Sequence, residues 1–586
     1  MSKKSFTRRD FIALSTTSAL SATMPPALAK VANAGDATKG NTSKKYNVLF
    51  LLTDQERYIP ASEMPVGYSL PAHERLAREG VEFENHQIAS NVCTPSRAVI
   101  YTGQHIQNNG MFDNCDFPWT DDLSKDIDTL GDMLRREGYY TAYKGKWHLN
   151  HDFETANDLN SPERFLAEEM EEYGFSDYFG IGDIIAHTEG GYLHDDVISA
   201  MSRSWLRGKG SNLATENNPW FLAVNLVNPH DIMYYNTDLA GQTEQSSVAM
   251  MRINREPPSA IYQQNWGIKL PESRNQSLSD AGRPAAHTEF RDARGAIVGV
   301  VPNEDDRWRR LNNYYLNCIQ DVDRNVGKIL NELDALGLAE NTIVIYTSDH
   351  GEHAGAHGLS GKGATAYKEQ NNVPLIVRHP AYRGGSRCRA VTSHVDLAPT
   401  ILGFAGAAAQ NDLDLPGKNL ETLLADPESA DYDALRSGAL FNYNMFAYID
   451  AAFLNGIAQY LKAGGDPKKI GDQFKPNLGN RGAIRSVFDG RYKFSRYFSP
   501  TEHNKPLSME QLFGLNDVEL FDLTSDPFEM KNLALDRAKN AELLIAMNAK
   551  LNLLIESEVG EDIGQMLPGG ADGNWVIPPD IENLRM

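Results

Sequence analysis

Three long apolar runs constrain the fold of this chain more than any other feature of its sequence. They cover residues 47–52, 220–226 and 342–347, and each is apolar at almost every position rather than at every second one. A strand of this kind is buried on both faces, as it is inside a parallel sheet covered by helices. The shorter run 373–377 has the same character. The sequence therefore predicts an α/β protein with a large, mostly parallel sheet flanked by helices.

Polar side chains follow each of the three long runs. Asp54 and Gln55 come after the first, His230 after the second, and Asp349 and His350 after the third. In open parallel sheets, binding sites form outside the carboxyl ends of the strands. The oxygens of Asp54 and Gln55 suit a hard cation, although for Asp54 alone a strand-end turn is the more ordinary explanation.

The segment 93–97, with the sequence C-T-P-S-R, predicts the start of a helix. Proline is tolerated in a first helical turn, and Thr94 or Ser96 can cap the free backbone N–H groups. Cys93 then lies at a helix N-terminus, where the backbone favours an anion, and Arg97 adds a cation one turn later. The ordinary alternative is a small buried cysteine beside a structural arginine.

A second candidate pair, Lys146 and His148, follows a predicted strand over residues 139–143. Because side chains alternate along an extended chain, these two would point to the same side. A lysine and a histidine that converge suit an anionic group and its leaving oxygen. A solvated lysine and a core histidine are the ordinary alternative.

The middle of the chain contains a polar stretch, residues 234–305, with little periodicity. A long irregular insertion in a compact domain usually has a function, and we interpret this one as a wall of the substrate pocket. The strongest helical periodicity follows it, over residues 308–338.

The pattern changes near residue 440. A hairpin is predicted over residues 483–497, with the turn at Asp489 and Gly490, and a strand and a helix follow it. We therefore predict a catalytic domain over residues 46–440 and a smaller, antiparallel α+β subdomain over residues 441–586.

The first 34 residues resemble a twin-arginine signal peptide. Arg8 and Arg9 precede a weakly apolar stretch, residues 12–22, that is too short to span a membrane, and an A-L-A sequence at 27–29 can serve for cleavage. Residues 35–45 are small and polar and are predicted to be a linker. The expected location is the periplasm or the exterior of the cell, without a membrane anchor.

The net charge of −22 argues against nucleic acid or anionic lipid as a partner. It also means that an anionic substrate needs a locally cationic pocket. The four cysteines, Cys93, Cys115, Cys318 and Cys388, lack the spacing of a metal site. The sequence leaves open one disulfide, either Cys115–Cys318 or Cys318–Cys388.

Seven segments together resemble the formylglycine-dependent sulfatases of the alkaline-phosphatase superfamily, from about residue 46 to residue 533. In chain order they are N-V-L-F-L-L-T-D-Q, C-T-P-S-R, G-Y-Y-T-A-Y-K-G-K-W-H-L, N-P-H-D, T-S-D-H-G-E, D-G-R-Y-K-F and E-L-F-D-L-T-S-D-P-F-E-M-K-N-L-A. The resemblance implies an alkaline-phosphatase-like fold and an arylsulfatase-like enzyme that hydrolyses a sulfate monoester.

The resemblance also implies a role for each candidate residue. Cys93, converted to formylglycine (3-oxoalanine) and hydrated, would be the nucleophile and a metal ligand, and Arg97 would fix it. The other ligands of the divalent cation would be Asp54, Gln55, Asp349 and His350. The residues implied for binding the sulfate oxygens are Lys146, Lys362 and His230, and the residue implied for activating the formylglycine hydroxyls is His148.

Chemistry explains why an aldehyde is needed. A thiol that attacked sulfur would form an adduct without an easy exit, whereas an aldehyde hydrate has two hydroxyls. One attacks sulfur, and the other, once deprotonated, expels sulfate and restores the aldehyde. His230 is expected to protonate the leaving oxygen.

The two pairs of predicted metal ligands depart from the pattern of many sulfatases, which have Asp-Asp and Asp-Asn at these positions. Asp54-Gln55 and Asp349-His350 resemble the pairs of choline sulfatases and of phosphonate monoester or phosphodiester hydrolases of the same superfamily. Calcium remains the first expectation, with manganese as the alternative, because imidazole shifts the preference away from calcium. The G-K-W-H segment ending at His148 keeps the sulfatase form, so a sulfate ester remains the leading substrate.

Two alternatives stay open at this point. One is a phosphonate monoester or phosphodiester hydrolase on the same site, and the other is a binding protein whose Cys93 is never oxidised. The expected partners are a small-molecule or carbohydrate sulfate ester and, transiently, a formylglycine-generating enzyme and the twin-arginine translocase. Aryl, choline and carbohydrate sulfates all fit the sequence.

Overall fold

The computed structural model describes residues 45–568, apart from residue 118 and the segments 156–161, 179–181, 184–187, 408–413 and 467–468. The predicted signal peptide and all but the last residue of the predicted linker lie outside the described residues. Among the helices that are described, none has the length and apolar character needed to cross a membrane.

Seven strands form the large sheet. Their bounds are β1 Asn47–Asp54, β2 Val81–Gln87, β3 Tyr140–Gly145, β4 Trp220–Pro229, β5 Thr342–Ser348, β6 Leu375–Arg378 and β7 Ser386–Ser393. The neighbour order is β3-β4-β1-β5-β6-β2-β7. Only β6 runs antiparallel to its neighbours among these strands. The prediction of a mostly parallel sheet is therefore confirmed, and the four apolar runs form β1, β4, β5 and β6.

Helices cover the sheet. The α-helices are α1 Pro71–Glu79, α2 Cys93–Thr102, α3 Ile106–Asn109, α4 Leu130–Arg136, α5 Asp152–Thr155, α6 Pro162–Glu172, α7 Gly190–Trp205, α8 Ser211–Thr215, α9 Ala285–Val298, α10 Asp305–Ala335, α11 Lys368–Asn371, α12 Leu397–Phe404, α13 Glu421–Leu424, α14 Ala451–Lys462, α15 Ile470–Gln473, α16 Met509–Leu515 and α17 Ala541–Glu558.

The large sheet lies between two layers of helices, and β1 is in the middle of the sheet. Phe50 packs with residues of α2, α4 and α12 on one face of the sheet. Leu49 and Leu51 pack with residues of α1 and α10 on the other face. All eight residues of β1 are buried. This two-sided burial explains why the strand is apolar without alternation.

The smaller sheet contains β8 Ala439–Tyr443, β9 Ala483–Phe488, β10 Tyr492–Phe498 and β11 Asp517–Asp522, in the antiparallel order β11-β10-β9-β8. The predicted hairpin is β9 and β10. Leu544 and Leu551 of α17 pack against this sheet. A backbone bridge between Ser90 and Asn442 ties β8 to the loop before α2, and β8 crosses the predicted boundary at residue 440.

The prediction that residues 234–305 are irregular was wrong for their last third, which contains α9. Phe290, Ala293 and Ile297 form the buried apolar face of this helix. His287 and Arg294 are also buried there, and these two polar residues interrupt the apolar pattern that would otherwise have indicated a helix.

The four cysteines are buried, and none of them forms a disulfide. Neither of the two disulfides that the sequence left open is formed in this structure.

Candidate active site

Helix α2 begins at Cys93, as the sequence predicted. The side-chain oxygen of Asn114 accepts the backbone N–H of Thr94 at 3.2 Å, but neither Thr94 nor Ser96 caps the helix start. Instead, the Thr94 hydroxyl donates to the carbonyl of His148 at 2.7 Å, and the Ser96 hydroxyl donates to the carbonyl of Asp349. The expectation of a hydroxyl cap was therefore wrong. These hydroxyls fasten the first turn of α2 to the two loops that carry other candidate residues.

Arg97 lies one turn into α2 and is fully buried. Its Nε donates to Asp349 Oδ2 at 2.9 Å, and a terminal nitrogen donates to Asp54 Oδ2 at 3.1 Å. Another terminal nitrogen donates to the carbonyl of Lys146 at 3.0 Å. The guanidinium thus joins the ends of β1, β3 and β5, and it orients the two carboxylates through hydrogen bonds from its planar fork.

The strand ends bring the predicted metal ligands together. Strands β1 and β5 are parallel neighbours, with Thr53 opposite Ser348, so Asp54 and Asp349 leave the sheet side by side. Ligand atoms of Asp54, Cys93, Asp349 and His350 all lie within 4.8 Å of one another. Cys93 Sγ is 3.2 Å from His350 Nε2, which is 3.7 Å from Asp54 Oδ1 and 3.6 Å from Asp349 Oδ1.

This group of donors fits a divalent cation. His350 Nδ1 lies 3.1 Å from the carbonyl of Gly351 and donates to it, so Nε2 is the nitrogen that faces the centre and is available to a cation. Burial and the adjacent charge of Asp54 raise the pKa of Asp349 to about 6. Two carboxylates held this close repel each other, and a cation between them relieves the repulsion.

Gln55, the fifth predicted ligand, adopts a left-handed backbone conformation with φ of 74°. Its backbone N–H donates to Asp349 Oδ1 at 3.0 Å. Its side-chain oxygen accepts from Lys362 Nζ at 2.6 Å, and its side-chain nitrogen donates to Glu352 Oε2 at 2.5 Å. The side-chain amide therefore lies between the ammonium of Lys362 and the carboxylate of Glu352.

The predicted cationic residues surround Cys93. Lys146 Nζ lies 2.6 Å from Asp54 Oδ2, and both side chains are almost completely buried. Burial alone would raise the pKa of the Cys93 thiol, but Lys146, Lys362, His350 and a hydrogen bond with His148 outweigh it, so that pKa lies well below its usual value. The site is therefore built to stabilise negative charge at position 93.

His230 lies in the same group, and its side chain also hydrogen-bonds with that of Cys93. Burial and the nearby charge of Lys362 lower its pKa to about 4. The imidazole is consequently neutral at pH 7 in the substrate-free protein.

The geometry of Lys146 and His148 differs from the prediction of an extended strand end. Strand β3 ends at Gly145, and His148 has a left-handed φ of 59°. The carboxylate of Asp183 produces this turn, because it accepts the backbone N–H groups of Trp147 and His148 at 2.6 and 2.5 Å. Both side chains still reach Cys93.

Sequence reasoning missed two residues that support the site, Asp183 and Glu352. Asp183 comes 35 residues after His148, so no local pattern connects them. Glu352 stands in the T-S-D-H-G-E segment, two residues after His350, and that position was the available signal. Arg294, backbone N–H groups and Gln55 together outweigh the burial of Glu352 and lower its pKa, so this carboxylate is ionised.

A second group of buried ligand-type side chains comprises His357, Glu369 and Glu529. Here the ammonium of Lys493 already lies 2.6 Å from Glu529 Oε1, and His357 Nε2 lies 3.6 Å from Glu369 Oε2. We interpret this group as a buried ion network that joins the segment between β5 and β6 to β10 and to the segment after β11.

Comparison with known proteins agrees with this site. A family model described as Sulfatase matches residues 46–407. The chain is 27% identical over 492 residues to the N-acetylglucosamine-6-O-sulfatase of Bacteroides thetaiotaomicron. The aligned region covers 75% of this chain and 81% of that protein.

Solved structures show the same fold. A 2-O GAG sulfatase superimposes with a TM-score of 0.60 at 20% identity, covering 87% of this chain and 92% of the other. A phosphonate monoester hydrolase from Silicibacter pomeroyi gives a TM-score of 0.58 at 20% identity, covering 89% and 97%. Because the family match extends over more than half of the chain and contains every candidate residue from Asp54 to Lys362, this chain belongs to the sulfatase family of the alkaline-phosphatase superfamily and is a sulfuric ester hydrolase.

Proposed function

We propose that this sulfatase cleaves sulfate monoesters with residue 93 in the formylglycine form, generated from Cys93. One observation carries the proposal: Cys93 opens α2 with Lys146, His148, His230 and His350 around its side chain. An inert core cysteine would not be surrounded by buried groups that lower its pKa. A hydrated formylglycine supplies one hydroxyl to attack sulfur and a second to release sulfate afterwards.

We further propose that Asp54, Gln55, Asp349 and His350 hold Ca²⁺, with Mn²⁺ as the alternative. Three of these residues offer oxygen, which calcium prefers, and the imidazole of His350 moves the preference towards manganese. A bound divalent cation lowers the pKa of a coordinated hydroxyl and offsets charge on the sulfate oxygens.

The chain's own cations bind the sulfate group in this proposal. Lys146 and Lys362 approach from two sides, one held by Asp54 and the other by the oxygen of Gln55. Both ammonium groups are buried, so their attraction for a sulfate oxygen is stronger than at a surface. His230 would bind a further sulfate oxygen and protonate the leaving oxygen, and His148 would accept a proton from residue 93.

The experiment is sulfate release from an aryl sulfate by the exported protein and by two variants. Cys93→Ala removes the nucleophile and should abolish turnover. Lys146→Ala should lower kcat/KM by roughly 100-fold or more, because a preorganised cation that stabilises the reacting group is lost. Turnover that persists unchanged in Cys93→Ala would overturn the formylglycine mechanism, and wild-type rates in Lys146→Ala would remove Lys146 from the site.

The alcohol half of the ester belongs to a small molecule or a carbohydrate. The relative named N-acetylglucosamine-6-O-sulfatase supports a sugar sulfate. Aryl and choline sulfates fit the same cationic centre. A panel of the three substrate classes, compared by kcat/KM, assigns the class.

A second candidate is the hydrolysis of phosphonate monoesters or phosphodiesters at this site. The Gln55 and His350 ligands favour it, since they resemble the pairs of those hydrolases, and a phosphonate monoester hydrolase shares the fold. An aryl sulfate and an aryl phosphonate monoester, compared at equal concentration, separate the two activities. Higher kcat/KM for the phosphonate would make this the principal function.

Maturation and location complete the proposal. The segment 1–34 would direct twin-arginine export of the folded protein to the periplasm, after a formylglycine-generating enzyme has acted on Cys93. A protein recovered with an intact thiol from its own host, and able to bind a sulfate ester without cleaving it, would instead be a binding protein.

A further inference from the structure

The side-chain amide of Gln55 has two chemically different ends, and its orientation decides whether Lys362 meets the oxygen or the nitrogen. The side chain is fully buried, so water cannot satisfy either end. Its oxygen faces the Lys362 ammonium at 2.6 Å, and its nitrogen faces Glu352 Oε2 at 2.5 Å. An ammonium group only donates, so Lys362 requires the oxygen of Gln55, and the nitrogen is left to donate to Glu352 Oε2.

Glu352 is itself fixed. Its other oxygen, Oε1, accepts the backbone N–H of Ala354 at 2.8 Å and of Gly361 at 2.6 Å. The carboxylate has an exposed fraction of about one per cent. The hydrogen bonds of the carboxylate come from the loop that carries His350 and Lys362 and from Gln55, and the charge of Arg294 on α9 favours its ionised form.

Glu352 reaches Lys362 by two routes. Through the backbone, it holds Gly361, the residue immediately before Lys362. Through the side chain of Gln55, it presents an oxygen to the Lys362 ammonium. The negative charge next to the Gln55 nitrogen also polarises the amide, which makes the oxygen a better acceptor and a better ligand.

We propose that Glu352 is a positioning residue that fixes the Gln55 amide with its oxygen towards the metal group and Lys362. Glu352 touches neither the cation nor the sulfate and acts through Gln55. This inference rests on the metal centre of the proposed function.

The variant Glu352→Gln tests the orientation. The two backbone N–H groups of Ala354 and Gly361 require an acceptor, so the new amide at position 352 turns its oxygen to them and its NH₂ to Gln55. Gln55 must then turn its own oxygen to position 352 and its nitrogen to Lys362. The expected result is Ca²⁺ and Mn²⁺ binding that is about 10- to 100-fold weaker, the usual cost of losing a partner that orients a ligand.

A double variant separates orientation from general damage. Gln55→Glu combined with Glu352→Gln places a carboxylate at position 55, whose two oxygens are equivalent, so it accepts from position 352 and from Lys362 without a flip. Metal affinity should return to within a few-fold of wild type. A purely structural role for Glu352 would predict that the double variant stays weak or becomes weaker.

The measurement is isothermal titration calorimetry of Ca²⁺ and Mn²⁺ with metal-stripped, full-length protein, together with the melting temperature of each variant. Glu332→Gln, on α10 and paired with Arg207, is the matched control and should bind like wild type. Equal affinity in wild type and Glu352→Gln would overturn the inference and leave the metal centre intact. A wild-type protein that binds neither ion would overturn the metal centre and the inference with it.

Discussion

The position of each lysine and arginine in this site is fixed by the groups to which it donates hydrogen bonds. Lys146 is paired with a carboxylate, Lys362 with an amide oxygen, and Arg97 with two carboxylates. His230 differs, because burial and the charge of Lys362 outweigh the opposing charge of Asp54 and lower its pKa to about 4. A sulfate ester brings negative charge between these cations, and that charge favours the protonated imidazole, which is the form a proton donor needs.

The proposed role of His230 as proton donor predicts a dependence on the leaving group. In His230→Ala, turnover of an alkyl or sugar sulfate should fall by roughly 100- to 10,000-fold, because a poor leaving group requires protonation. Turnover of a nitrophenyl sulfate should fall much less, since nitrophenolate leaves without a proton. The two substrates serve as internal controls for folding, and an equal loss for both would exclude His230 as the donor.

At the scale of elements, the site is a junction where α2 meets the ends of β1, β3 and β5. Arg97 is the link, and it is fully buried together with Asp54 and Asp349. Buried ion pairs contribute little net stability when intact, but losing one partner leaves an uncompensated charge. The junction should therefore depend strongly on this one arginine.

Replacing Arg97 by methionine should lower the free energy of unfolding by about 3–5 kcal/mol. Saturating Ca²⁺ or Mn²⁺ should raise the melting temperature of this variant more than that of wild type, because the cation relieves the repulsion between the two carboxylates. The control Arg164→Met breaks an exposed pair on α6 and should change stability by less than about 1 kcal/mol. Chemical denaturation with and without the ions measures both effects, and a wild-type stability for Arg97→Met would contradict the account.

The sequence predicted the elements whose apolar residues are either continuous or regularly spaced. Strand β1 and helix α10 were predicted from uniform apolarity and from helical spacing. Helix α9 was missed because Arg294 and His287 are buried on it, and strand β7 because Arg387 and Arg389 flank its buried Cys388 and leave little apolar character.

Lys362 follows no strand directly and came only from the family resemblance. Asp54, His230, Asp349 and Cys93 were predictable, because the first three lie at or directly after a strand end and Cys93 opens a helix. Their supports were not: Asp183 and Glu352 act through backbone N–H groups or through another side chain. The contact of Asp183 depends on how distant segments meet, which no local pattern contains, whereas the only sequence signal for Glu352 was its position two residues after His350.

Across the whole molecule, His73 of α1 connects the end of β1 to α10. Its ring contacts Glu56 at 2.9 Å, just after β1, and Asp323 of α10 at 2.5 Å. Burial opposes a charged imidazole here, but the two carboxylates outweigh it and raise the pKa of His73 to about 10. A pKa raised on folding means that the folded protein binds this proton more tightly than the unfolded chain.

His73 should therefore contribute its full stabilisation to the free energy of unfolding below pH 6.5, the usual pKa of histidine. This contribution should decline as the pH rises from about 6.5 towards 10. His73→Gln should be less stable than wild type at pH 6 by a few kcal/mol, and the difference should shrink steadily up to pH 10. Denaturation curves of both proteins at pH 6, 8 and 10 test this. A difference that is constant across this range would contradict the assigned pKa.

The most direct test of the central claim is the mass of the tryptic peptide 79–97, which contains residue 93, from protein purified from its exporting host. Conversion of the Cys93 thiol to an aldehyde predicts a peptide about 18 Da lighter than the unmodified sequence. That mass, found in protein that releases sulfate from an ester, is the result the account predicts. An intact thiol in protein that turns over a sulfate ester at an undiminished rate would contradict the formylglycine mechanism.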